Sequence, residues 1–214
     1  MLTLAINTAS SNTAIALLEN GKVLSENSWQ SRNNEAEKLM PAIHRLLKSS
    51  HKTYKDIKKI IVIKGPGSFT GLRIGVTVAN TIAYLNKCEL FGINTFEYWW
   101  ASAPKDISAA LLIFAGSGGV YVNLSPKDKP KLVNLDKLNQ YLKDKKITKV
   151  FGDISKEQKS ALKTAKFIPK KIRLGQTIEK IIKSSTAKKL ASVKIVEPYY
   201  IKQPAITKSK KPTF

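Results

Sequence analysis

The sequence predicts an α/β protein of two related lobes, each a mixed sheet flanked by helices. Three observations carry this. An alternating β-meander opens the chain, a buried strand at 60–63 turns through glycines straight into a helix, and the second half repeats the same order of elements.

Leu2, Leu4 and Ile6 alternate with Thr3, Ala5 and Asn7, the period of a strand. Thr13–Leu18 and Val23–Trp29 read as two more strands, joined at Asn20-Gly21, a strong hairpin signal. Asn34–Lys48 follows as a helix with Ala36, Leu39, Met40, Ile43 and Leu47 on its apolar face. Pro41 lies inside it and predicts a kink or an irregular first turn.

Ile60–Ile63 enters the turn Gly65-Pro66-Gly67-Ser68-Phe69-Thr70-Gly71, which opens onto a helix running to Leu85. Ser68 and Thr70 are N-cap residue types, and the free amides of a helix start can also hold an anion. Gly65, Gly67, Ser68 and Thr70 are therefore candidates for a phosphate or nucleotide loop, beside the plainer reading of a tight turn. Two familiar phosphate loops are excluded. Leu72 and Arg73 stand where a Walker loop needs Lys and Ser or Thr, and the glycine spacing misses G-x-G-x-x-G by one.

In the helix, Gly71, Gly75, Ala79 and Ala83 recur every four residues, with Val76, Val78 and Ile82 beside them. A small-residue stripe lets a second helix approach closely, so it is expected to be a docking seam. On that expectation Gly75→Leu would abolish partner binding and leave the isolated fold intact.

Leu90–Ile93 reads as a strand and Thr95–Ser102 as a helix carrying Trp99 and Trp100. Ser102-Ala103-Pro104 then breaks the pattern, which places a boundary near 101–106 and gives lobes of 1–102 and 103–206. In the second half Leu111–Ala115 and Val120–Leu124 form a hairpin around Gly116–Gly119, with a further strand at Lys131–Asn134. Leu135–Lys145 is a helix, Lys149–Gly152 a buried strand, and Ser155–Thr164 and Gln176–Leu190 are helices. Residues 207–214 are expected to be a disordered basic tail.

The formal net charge is +22. Residues 1–100 hold 12 Lys/Arg and 7 Asp/Glu, a net of +5, and residues 101–214 hold 25 and 8, a net of +17. Such a field attracts polyanions, and a lysine-biased composition produces the same count. Lys170, Lys171 and Arg173 are candidate RNA contacts, and Lys143, Lys145, Lys146 and Lys149 are expected to share their surface.

Cys88 is the one cysteine, so no disulfide forms within the chain, and a semi-buried thiol is expected. The N-terminus lacks the charged region of a signal peptide, and no apolar run nears the roughly 20 residues of a membrane helix. A cytoplasmic protein with no membrane contact is expected. His44 and His51 stand seven apart with no acidic cluster near them, which gives no metal site. No nucleophile elbow or triad assembles, so no catalytic residue is assigned.

The segments LAINTASSNTAIAL, NNEAEKLMPAIHRLL, KGPGSFTGLRIGVTVANTIAY and VEPYYIKQP, in this order from residue 2 to 204, resemble the TsaB (YeaZ) family of bacterial tRNA threonylcarbamoyladenosine biosynthesis proteins. The resemblance implies an actin-like (ASKHA, ribonuclease H-like) fold related to the glycoproteases. It implies a non-catalytic subunit that dimerises with a TsaD-type transferase and acts on tRNA together with a TsaE-type ATPase. It also implies a dimer bundle built from the helices at 34–48 and 71–85, so Leu39, Ile43, Gly71, Gly75, Ala79, Ile82 and Ala83 are the expected partner-binding residues. Self-pairing through that bundle is expected when the partner is absent. The chain alone is expected to bind no cofactor, with ATP or ADP a candidate at the shared interface. The family usually has Asp at Asn7 and D-A-x-x-G-x-V-Y where this chain has Ala115–Tyr121. Both departures weaken a nucleotide or metal role. An independent actin-like ATPase, a phosphotransferase or a glycoprotease-type hydrolase is the rival reading.

Overall fold

The computed structural model describes residues 1–201 apart from 32–33, 104–108, 117 and 185–189. The first half contains β1 (Leu2–Asn7), β2 (Asn12–Glu19), β3 (Lys22–Gln30), α1 (Glu35–Ser49), β4 (Ile57–Ile63), α2 (Phe69–Asn86), β5 (Glu89–Ile93) and α3 (Thr95–Ser102). The second contains β6 (Ala110–Phe114), β7 (Gly119–Asn123), β8 (Lys131–Asn134), α4 (Leu135–Asp144), β9 (Lys149–Asp153), α5 (Lys156–Ser160), β10 (Lys166–Phe167) and α6 (Leu174–Lys183). The order of strands and helices is the same in both halves.

The sheets repeat too. The first is ordered β3-β2-β1-β4-β5 and the second β10-β9-β6-β7-β8, the same path read from the opposite edge. In each, the first three strands pair antiparallel and the last two join in parallel. This is the expected α/β architecture of two mixed sheets flanked by helices.

Alternation along the strands decides what each face meets. Leu4, Ile6, Ile60 and Val62 face α1 and α2, together with Leu39, Ile43, Ala79 and Ala83. Ala5, Ile61 and Ile63 face the other way, into a core shared with Leu111, Ile113 and Phe151 of the second sheet. Trp99 and Trp100 of α3 meet Phe151 with ring centroids 6.4 and 5.1 Å apart. Leu112, Val120, Val122 and Val150 pack against Leu138 and Leu142 of α4. Late in the chain α6 returns to lie on β2 and β3.

Four expectations change. The apolar face of α1 is Leu39, Ala42, Ile43, Leu46 and Leu47, whereas Ala36 and Met40 are exposed. The buried stripe is rotated because α1 lies across the sheet on its Ala42 and Leu46 side. The helix runs on through Pro41, whose missing N–H falls on the exposed face. The helix expected over 155–164 stops at Ser160 and is followed by β10. Asn139 of α4 ends it by donating to the Ala161 carbonyl at 2.8 Å and accepting from the Lys163 amide at 2.7 Å. Finally, α6 starts at Leu174 and closes at Lys183, before residues 185–189, which lie outside the described residues along with the basic tail at 207–214.

Candidate functional site

Two regions contain the candidate residues: the α1–α2 face and the cleft where the C-terminal ends of β1 and β9 meet. In α2, Gly71, Gly75, Ala79, Ile82 and Ala83 are all buried, and so are Leu39 and Ile43 of α1. The stripe faces its own sheet. A Cβ on Gly75 would overlap Thr8 Oγ1, and one on Gly71 would overlap the Thr8 carbonyl. The small residues serve an intramolecular approach of helix to the β1–β2 turn, so Gly71, Gly75, Ala79 and Ala83 do not form an exposed surface. Gly75→Leu would consequently damage the fold itself.

The outer face of α2 is the accessible one. Tyr84 is 83% exposed and Leu85 71%, with Met40 of α1 beside them at 41%. Met40, Tyr54, Thr77, Val78, Thr81, Leu85 and Ile82, the last an expected docking residue, are among those lining a shallow, mostly apolar depression of about 430 Å³ between the two helices. The expected docking residues include Ile82 of this depression but not Met40, Tyr84 or Leu85. The signal in the sequence was Tyr84 and Leu85, apolar residues lying off the glycine stripe of α2.

The glycine loop is occupied by the chain's own backbone. The Ser68 amide donates to the Ala9 carbonyl at 2.8 Å, and the Ser68 hydroxyl accepts from the Gly71 amide at 3.2 Å as the N-cap of α2. Gly65, at φ +112, lies against the Tyr199 carbonyl, and Gly67 lies against that of Ala9. Thr70, in the first turn, is exposed. Close packing of three backbone segments therefore accounts for the glycines.

The segment that reaches Gly65 went unassigned in the sequence. The Val193 amide donates to Leu90 on the edge of β5 at 2.9 Å, and the Tyr199 amide donates to Lys64 at 2.6 Å. Tyr200 packs on Phe69 with ring centroids 5.2 Å apart, and the Arg73 guanidinium lies 3.9 Å over the same Phe69 ring.

In the cleft, Asn7 is buried and shapes the β1–β2 turn. Its Oδ1 accepts from the Ala9 amide at 3.0 Å and its amide donates to the Ser10 hydroxyl at 3.2 Å. The matching loop of the second sheet is pinned by buried Gln158, which donates to the carbonyls of Gly116 and Gly119 at 3.1 and 2.8 Å. Tyr98 borders the cleft, and burial pushes its phenol well above the usual tyrosine range against a hydrogen bond with Asn7.

The basic residues separate. Lys170 and Lys171 line the cleft, whereas Arg173 pairs with Glu26 at 3.3 Å. Lys143, Lys145, Lys146 and Lys149 sit around the start of β9, at the opposite end of the second sheet from the Asp153 cleft, so the seven do not form one surface. Burial pushes the half-buried Cys88 thiol up. His44 stacks on Tyr54, with ring centroids 6.4 Å apart. Among the described residues no helix is long and apolar enough to cross a membrane, and no three His, Cys, Asp or Glu side chains gather as metal ligands.

Comparison with known proteins extends this picture. The chain is 39% identical over 125 residues to the tRNA threonylcarbamoyladenosine biosynthesis protein TsaB of Bacillus subtilis (strain 168), covering 58% of this chain and 55% of that protein. To TsaB of Buchnera aphidicola subsp. Schizaphis graminum (strain Sg) it is 31% identical over 123 residues, covering 55% and 57%. The chain thus spans about half the length of the curated relatives it matches. In structure it is similar to YeaZ from Pseudomonas aeruginosa, with a TM-score of 0.71 at 16% identity, covering 94% of this chain and 99% of that one, which shows the fold. The family model described as TsaD, tRNA N6-adenosine threonylcarbamoyltransferase, matches residues 23–208, well over half of the sequence, and the chain belongs to that family.

Proposed function

We propose that this chain is an accessory subunit for making N6-threonylcarbamoyladenosine in tRNA, docking in the cytoplasm onto a TsaD-type transferase through the outer face of α1 and α2. The observation that carries the reading is the exposure of Leu85 and Met40 in the depression between those helices, with Tyr84 exposed next to Leu85 in the chain. Adjacent exposed apolar side chains rimmed by threonines are the pattern of a surface that another protein covers. The TsaB name of the similar curated proteins supports the same process.

In this reading the chain performs no chemistry. The first strand-end loop folds around its own Asn7 and the second is pinned by Gln158 of α5, which supports a scaffold rather than a phosphotransferase. A TsaE-type ATPase and tRNA join through the complex, and any ATP or ADP sits where the two subunits meet.

The test is size-exclusion chromatography of this chain with the TsaD-type protein of the same source. Wild type should elute as a one-to-one complex. Leu85→Asp with Tyr84→Ala should elute as two separate proteins while keeping the wild-type melting curve. Full complex formation by that variant would overturn the reading.

A further inference from the structure

Ser11 lies at the end of the β1–β2 turn, and Asp153 ends β9 in the other sheet. One oxygen of the Asp153 carboxylate accepts from the Ser11 amide at 2.8 Å and the other from the Ser11 hydroxyl at 2.6 Å. A backbone N–H and a neighbouring hydroxyl converging on two oxygens of one anion is also how a chain grips a phosphate. Here the anion belongs to the protein.

The clasp stands in the wall of a chamber of about 540 Å³ that Lys159, Lys170 and Lys171 also line. Among the described residues, none of these lysines forms an ion pair. Lys159 lies 4.7 Å over the Phe167 ring. Lys170 is held below the usual lysine range, chiefly by burial and then by the neighbouring charge of Lys180. Asp153 is the only carboxylate among the residues lining the chamber, against three lysines. A second chamber of about 250 Å³ also includes Ser10, Ser11 and Asp153 in its wall, which makes the clasp a partition across the cleft.

We propose that Asp153 is an intramolecular stand-in for phosphate: it fills an anion site formed by Ser11, Lys159, Lys170 and Lys171, and so keeps phosphate-bearing small molecules out of the cleft. Removing the carboxylate frees both Ser11 donors and leaves a chamber lined by three lysines and, among its lining residues, no carboxylate. The cleft then becomes a receptor for a small polyanion.

The test is calorimetric titration of the full chain with inorganic pyrophosphate at low ionic strength. Asp153→Ala should bind at least about tenfold more tightly than wild type, since charge-assisted hydrogen bonds to two donors are regained. Adding Lys170→Ala and Lys171→Ala to that variant should abolish the gain. Asp153→Gly, which likewise removes both acceptors of Ser11, carries the same comparison if the alanine variant does not fold. Equal affinity for wild type and the folded Asp153 variant would overturn the proposal. Undiminished binding after loss of the two lysines would overturn it as well.

Discussion

The Asn80 side chain holds Val196 by both backbone groups, donating to its carbonyl at 2.9 Å and accepting from its amide at 3.0 Å. A side chain in the middle of α2 thus reproduces the pairing of a strand, and it fastens residues 193–200 along β5 and up to Gly65. Asn80→Ala should cost about 1–3 kcal/mol, because it leaves two backbone groups unpaired. Hydrogen exchange should show faster amide exchange at Val196 and Tyr199, with α1 unaffected. Unchanged protection at 193–200 would show that the clip does not hold the segment.

The Gly75–Thr8 contact predicts a coupled pair. Gly75→Ala forces a methyl into Thr8 and should destabilise by about 1–3 kcal/mol. Thr8→Ala removes the obstructing hydroxyl and methyl, so the double variant should recover much of that loss. Urea unfolding of the four proteins measures the coupling. Strict additivity would place the strain elsewhere.

Alkaline stability should depend on Tyr98. Its folded-state pKa lies above the unfolded value, so its contribution is complete below the unfolded tyrosine pKa of about 10 and is lost as pH rises from there toward the folded value. Tyr98→Phe gives up the hydrogen bond with Asn7 and should be less stable at neutral pH. Its melting temperature should nevertheless fall less steeply above about pH 10. Parallel slopes for the two proteins would refute this.

Lys87 caps α2 in the left-handed region at φ 51. Lys87→Gly should stabilise by about 0.5–1 kcal/mol, since glycine adopts that conformation without a Cβ penalty. For a chain of this size that is roughly 2–4 °C per kcal/mol in melting temperature.

Strand and helix order was legible because it rests on periodicity, which buried faces enforce. The β4–glycine–α2 unit and Asn20-Gly21 identified themselves by composition alone. The direction in which α2 turns its small residues was not legible. A stripe of glycine and alanine says that something comes close, and only the fold reveals that Thr8 and the β1–β2 turn do so. The Asp153–Ser11 clasp was hidden for a related reason: its residues are 142 apart in sequence, and neither sits in a recognisable motif. Likewise Asn139, which ends α5, acts on a segment more than 20 residues later.

The repeated order of elements bears on assembly. The slot that α2 fills with 18 residues is filled in the second half by the five residues of α5, and the 15 of α1 by the ten of α4. One half therefore supplies a long helical pair with an apolar outer side, and its counterpart, at a net charge of +17, does not. A contact made through α1 and α2 uses up the only such pair among the described residues.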